Sequence, residues 1–338
     1  MSEINFDKIS SNQSFDCPCC SKKAVEVIDL PQYPITEFFT SQIKEKKLYG
    51  FFNQSLLFCE YCSHLFLKNI LDPEYIYNNY LTSTSSSNGA IQCLKDLKIF
   101  INKTINIKKE NFTRIIDLGG NDSTFLELFV DTFEDLYNID INATSKIDKI
   151  TAIKGHWNSI NYEDFYNKNP IVYCSSHTLE HLENPEGFIE KISKSMKDED
   201  LFFLQFPSLE LLIEDSRFDQ ICHQHLNLFS LKSIQILLNR YSLFVHSYEF
   251  DSSHFGTLRL AIKKNNPCIK KELNSVNLDS INESYNFFKT FYNIINNKYE
   301  KVLENGQGFG AGLMVPTLCY HLPLINNLSF ICDQNESK

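Results

Sequence analysis

The chain has 338 residues, of which 43% are apolar and 13% aromatic, enough for two or three domains with their own cores and unlike a disordered composition. Its formal charge of −10 argues against a nucleic-acid backbone as the main partner. No run of eighteen apolar residues occurs, and the opening MSEINFDKISSNQSFDC has no apolar core of signal-peptide length, so the expectation is a cytoplasmic protein without membrane insertion.

Residues 1–85 read as a first unit. Cys17 and Cys20 form one CxxC pair and Cys59 and Cys62, in FCEYC, another. Two such knuckles can close a tetrahedral zinc site with no open position, which staples a small domain and has a scaffolding role. Cys19 and His64 are candidate substitutes for one ligand. With no secretory signal, the eleven cysteines read as metal ligands and buried free thiols rather than disulfides. Residues 72–90, DPEYIYNNYLTSTSSSNGA, suit either a linker or a lid over a polar substrate. Residues 90–107 place Ile91, Leu94, Leu97, Phe100 and Ile101 on one helical face.

The chain is organised around RIIDLGGNDSTFLELF, residues 114–129. Ile115 and Ile116 run into Asp117. A turn of Gly119, Gly120, Asn121, Asp122 and Ser123 follows, then Phe125, Leu126 and Phe129 at helical spacing. Strand, glycine turn and helix predict a cofactor lying over the turn. The turn lacks GxGxxG, which disfavours a dinucleotide. Asp140, closing the next strand in LYNID, is placed to hold ribose hydroxyls.

Apolar runs at 136–139, 171–173 and 201–206 read as buried strands, and 185–196 as a helix, giving a doubly wound parallel sheet up to about residue 263. Ligands bind outside the carboxyl ends of such strands, which draws attention to Asp117–Ser123, Asp140, Gly155–Asn158, Ser175–His181 (Ser176 among them) and Pro207 onward. Trp157 reads as core filling. His177 and His181, four apart, would share a helical face, but a metal there needs a third ligand that the spacing does not supply. In FDQICHQHLNLFS, residues 218–230, Cys222, His223, Gln224 and His225 stand in a row; four such side chains are rarely all buried for packing. SLFVHSYEF and HFGTLRLAIKK read as a strand pair, with Gly256, Thr257 and Arg259 as candidate substrate contacts. Glycines 306, 308, 310 and 312 read as the opening of a second Rossmann-like unit.

Together, the two CxxC pairs, the Tyr/Ser stretch, DLGGND, TLEHLENP, FDQICHQHLNLFS, FGTLRL and GFGAG resemble the sugar C-methyltransferase family that acts on nucleotide-linked deoxyketosugars. The resemblance implies an α/β protein: a class I methyltransferase Rossmann-like doubly wound sheet (86–265), a small N-terminal zinc-binding domain with a lid (1–85) and a short or truncated C-terminal α/β domain (266–338). It implies S-adenosyl-L-methionine (SAM) bound at Asp117, Gly119, Asn121, Asp122, Asp140 and Ser176, and structural Zn2+ at Cys17, Cys20, Cys59 and Cys62. A sugar or nucleotide-sugar substrate would lie between the second and third domains, the product serving surface-glycan or secondary-metabolite biosynthesis. The family's base is a histidine in a YHEH segment. Carried onto Cys222–His225, that makes His225 the base, with His223 and Gln224 beside it and His181 and Tyr80 orienting the acceptor. The tyrosine and glutamate of YHEH are absent, and the second position of the tyrosine motif is Thr82, which leaves carbon or oxygen open as the methyl acceptor. The rivals are a non-catalytic SAM- or sugar-binding protein and a metal-dependent hydrolase using Cys222, His223 and His225.

Overall fold

The computed structural model describes residues 11–12, 15–36, 51–71, 83–107, 109–166, 168–253, 256–266, 276–299, 306–310, 312 and 314–333. The N-terminal module holds β1 (Ser11–Asn12), β2 (Val25–Pro34), β3 (Phe51–Cys59), β4 (His64–Leu67) and β5 (Asn69–Ile70). β2, β3 and β4 form an antiparallel meander, and β1 pairs with β5. β3 and β4 carry nearly continuous apolar runs because both faces of this sheet are covered. Leu56, Phe58, Leu65 and Leu67 face a cluster with Leu209 and Phe218, while Leu57 and Phe66 face one with Phe206 and Phe229.

Helix α1 (Asn88–Thr104) starts where the Ser87 side chain accepts the Ala90 N–H, and it buries Leu94, Leu97, Phe100 and Ile101 as its periodicity predicts. Next come β6 (Arg114–Leu118), α2 (Thr124–Glu127), β7 (Asp135–Asp140), β8 (Ile150–Lys154), β9 (Ile171–Ser176), α3 (Pro185–Ser195), β10 (Leu201–Pro207) and α4 (Leu209–Glu214). The domain continues through β11 (Asn227–Leu228), α5 (Leu231–Asn239), β12 (Leu243–Asp251) and β13 (Thr257–Lys264). α3 begins with Pro185 behind an Asn184 cap, and α5 with a Ser230/Ser233 capping box.

Seven strands make the central sheet in the order β12–β13–β10–β9–β6–β7–β8. β8, β7, β6, β9 and β10 are parallel; β13 is antiparallel to both of its neighbours, β10 and β12. The strand pair read from SLFVHSYEF and HFGTLRLAIKK thus forms the antiparallel end of the otherwise parallel sheet. The chain builds outward from β6 to β8, then returns to lay β9 on the other side of β6. That reversal opens a crevice at the carboxyl ends of β6 and β9, where open α/β sheets hold ligands.

α2 is only four residues long, so the helix expected after the glycine turn is a single turn with little dipole to offer. The first unit is also less separate than 1–85 suggests: β11 pairs with β4 and supplies the fourth strand of the N-terminal sheet. After α6 (Leu278–Tyr299), β14 (Gln307–Phe309), α7 (Val315–His321) and β15 (Phe330–Cys332) form one parallel βαβ unit. It packs back on the N-terminal module through Tyr320 against Tyr33, at 4.9 Å between centroids.

Candidate active site

The loop after β6 is shaped by what its residues lack. Gly119 has φ +87, and a Cβ there would lie far inside contact with Thr178 Oγ1, 2.7 Å from its Cγ2 and 2.9 Å from its Cβ. This close approach brings the loops after β6 and β9 together. At Gly120 a Cβ would stand 2.5 Å from Asn138 Oδ1 and 2.6 Å from Asp117 Oδ2. Asn121 and Ser123 adopt positive φ, 44 and 67, without being glycine. Buried Asn138 holds them: its Nδ2 donates to Asn121 O and to Ser123 Oγ, both at 2.8 Å, and Ser123 Oγ donates to Thr144 O at 2.6 Å. Side-chain hydrogen bonds thus supply the conformation that a third glycine would otherwise give.

Three carboxyl groups surround this loop. Asp140, half-buried at the end of β7, accepts the Asn121 N–H at 3.2 Å and the Asn142 N–H at 2.7 Å. Asp117 is buried, its Oδ1 has no hydrogen-bond partner among the described residues, and burial with the nearby Asp140 charge pushes its carboxyl up to about 8. Asp122 accepts from Ser83 Oγ, from the Ser85 N–H at 2.9 Å and from Thr124 Oγ1 at 2.7 Å. Burial opposes its ionisation, yet these bonds bring it down to about 2. Asp122 therefore ties residues 83–85 down beside the loop. Carboxylates, and not a helix N-terminus, set the polarity here, which suits a ligand carrying positive charge.

The opposite wall comes from the end of β9. Ser176 Oγ accepts from Gln205 Nε2 at 2.6 Å, and Gln205 Oε1 accepts from Arg259 Nε at 3.0 Å. Arg259 is buried and paired with Glu249 at 2.9 Å and Asp251 at 2.8 Å, so it braces the sheet beneath the site. His177 and His181 do not share a face as expected. His177 has φ 50 and the chain then makes a 3-10 turn, Leu179–His181. His177 Nδ1 meets Glu180 Oε1 at 3.2 Å, and its Nε2 lies 3.7 Å from Cys93 Sγ. Burial disfavours its charge, but Cys93 and Glu180 raise its pKa to about 10.

His181 Nδ1 donates to Gln224 O at 2.9 Å, and its ring meets His225 edge to face with centroids 5.0 Å apart. Burial lowers His181 to about 4, so it is neutral at physiological pH. The structure thus brings His181 and His225 together beside Thr178 and the glycine loop. His223 and Gln224 lie elsewhere, in the joint between modules. His223 Nε2 faces Tyr33 O at 3.2 Å and its Nδ1 faces Gln54 Nε2 at 3.1 Å, while Gln224 bonds Thr36 through both amide atoms, at 2.8 and 2.9 Å. Burial holds His223 down to about 4. Cys222 is also buried. Tyr80 and Thr82 fall outside the described residues. Glu180, between the two histidines of HTLEH, escaped the sequence reading although an acidic residue so flanked was the available signal.

Cys17, Cys20, Cys59 and Cys62 converge, with Sγ atoms 3.4 Å apart for Cys17–Cys62 and 3.5 Å for Cys20–Cys59. These are free thiols at separations close to the about 3.8 Å expected around a tetrahedral zinc. Cys19 is buried in the adjacent core, and His64 turns away, its Nε2 on Asn227 Oδ1 at 3.2 Å. The four cysteines suffice as a ligand set without either.

A family model described as a methyltransferase domain matches residues 93–248, which take in the glycine loop, the β9 turn and the His225 segment. This segment of the chain is thus similar to a methyltransferase domain. A C-methyltransferase of Streptomyces niveus, NovU, is 21% identical over 213 residues, covering 61% of this chain and 50% of that protein. The chain spans about half the length of this curated relative. Among solved structures, the magnesium protoporphyrin IX methyltransferase of Synechocystis, with bound SAH, overlaps 52% of this chain and 84% of its own at 12% identity and a TM-score of 0.40. A SAM-dependent methyltransferase from Anabaena variabilis overlaps 53% and 86%, also at 12% identity and 0.40. No helix among the described residues is long and apolar enough to cross a membrane.

Proposed function

We propose that the protein transfers a methyl group from SAM to a sugar, carried as a nucleotide-linked form, in the making of a surface glycan or a secondary metabolite. The observation that carries this reading is the meeting, at the β6/β9 crevice, of an acidic glycine loop with the His181–His225 pair. The residues present fit SAM: Asp117 offers an unpartnered buried oxygen, Gly119 and Gly120 leave the loop bare, and Asp140 ends β7 where ribose hydroxyls would be held. When bound, SAM supplies an electrophilic methyl on a cationic sulfur.

The chain's own part is to orient the acceptor and remove its proton. His181, fixed by Gln224 O, positions the acceptor, and His225 takes the proton. The four-cysteine group, holding structural zinc, keeps β3 and β4 in place so that β11 can pair with β4 and set the His225 segment against the β9 turn. The similarity to a C-methyltransferase supports this class of chemistry without deciding between carbon and oxygen.

The test is transfer of isotope-labelled methyl from SAM to a panel of nucleotide sugars, with product mass spectrometry. Label on the sugar, lost by about 10²–10⁴-fold in His225→Ala, supports the reading. SAM binding without turnover over a broad panel favours a binding protein instead.

A further inference from the structure

We infer that Glu180, His181 and His225 form a second metal site, distinct from the four cysteines, that holds a divalent first-row transition metal ion. One carboxylate oxygen and one nitrogen from each histidine lie within 4.8 Å of one another. The pointer to a ligand is Glu180. It is 2% exposed, its Oε1 is engaged by His177, and its Oε2 has no hydrogen-bond partner among the described residues. A buried carboxylate oxygen left without a partner is costly unless something else meets it.

The groups around the three ligands have the form of an outer shell. A metal-bound imidazole ordinarily donates its other N–H to a carbonyl or carboxylate, which fixes ring and tautomer. His181 does so through Nδ1 to Gln224 O at 2.9 Å. His177 Nδ1 donates to Glu180 Oε1 at 3.2 Å, and Oε2 is left without a hydrogen-bond partner among the described residues. Two histidines and one carboxylate select zinc, cobalt, nickel or iron(II) over magnesium or calcium, and they leave coordination positions open.

This refines the proposed reaction and rests on it only for where the acceptor lies. Bound there, the ion would supply Lewis acidity to an acceptor hydroxyl, and His225 would hold the ion in place of the base role proposed above. The sequence spacing of His177 and His181 left any metal without a third ligand; the fold supplies Glu180 and His225 in its place.

Metal content decides the matter. The full chain, purified without metal-affinity resin and stripped with chelator, is titrated with cobalt(II), followed by visible absorption and by elemental analysis. The expected result is two equivalents in the wild type: one with the intense thiolate charge-transfer bands of four sulfurs, one with the weak bands of nitrogen and oxygen ligands. Glu180→Gln and His225→Ala should each keep the first and lose the second. The thiolate bands report that each variant is folded. One equivalent in the wild type, or two in both variants, overturns the site. A second equivalent without methyl transfer to any acceptor refutes the proposed function and leaves the site standing; methyl transfer with a single equivalent does the reverse.

Discussion

Gly119→Ala isolates the contact on which the crevice depends. The substitution adds one carbon in a backbone conformation that costs an L-residue roughly 1–2 kcal/mol, since φ is +87. The new methyl also runs into the Thr178 side chain, an overpacking that costs about 1–3 kcal/mol in a site with no room to yield. If the loop must return to its present shape to accept SAM, these add to about 2–5 kcal/mol, a weakening on the order of 30- to 4,000-fold. Isothermal titration calorimetry with SAM measures it directly. Thr178→Ala removes Oγ1 and Cγ2 and leaves a single 2.9 Å contact, so the double variant should regain the packing part of the loss and keep the backbone part. A Gly119→Ala protein that binds SAM within threefold of wild type would refute the claim that this loop cradles the cofactor.

Asp117 predicts a pH dependence. Its pKa is raised to about 8 in the folded chain from 3.8, so the fold holds the proton more tightly than the unfolded chain, and stability falls as pH rises from about 4 to 8. Asp117→Asn should flatten that fall in thermal melts at pH 5 and 8.5. A cationic ligand favours the ionised form, so SAM affinity should rise between about pH 6 and 8 with proton release, read by calorimetry in buffers of different ionisation enthalpy. His223→Ala and His225→Ala should separate structure from chemistry. The first loses two buried contacts and about 1–3 kcal/mol, seen as a melting temperature lower by a few degrees; the second melts near wild type and loses methyl transfer. Cys59→Ser should lose the zinc of the four-cysteine group and lower thermal stability, and equal zinc content by elemental analysis would contradict that assignment.

The parts of the fold legible in the sequence are those where local pattern and tertiary fate agree. The apolar face of α1 and the buried runs of β6, β9 and β10 are set by periodicity and by cover on both faces. β8 shows in the sequence only through the loop expected after it, Gly155–Asn158, and not as an apolar run, because this edge strand buries only Ile150 fully among its five residues. The row Cys222–His225 reads as too polar to be buried for packing, yet Cys222, His223 and Gln224 are buried and only His225 joins His181. Which histidine turns to the crevice depends on β11 pairing with β4, some 160 residues away in the chain, and no local pattern encodes that. The His177–His181 pairing failed for a different reason: His177 at positive φ breaks the helical spacing that would have put the two rings on one face.

The most direct measurement is a crystal structure of the protein grown with SAM. The account predicts the nucleoside over the loop that begins at Asp117, its ribose on Asp140 and its sulfonium methyl facing His181 and His225. An empty crevice under saturating SAM, or a methyl directed away from both imidazoles, would contradict it.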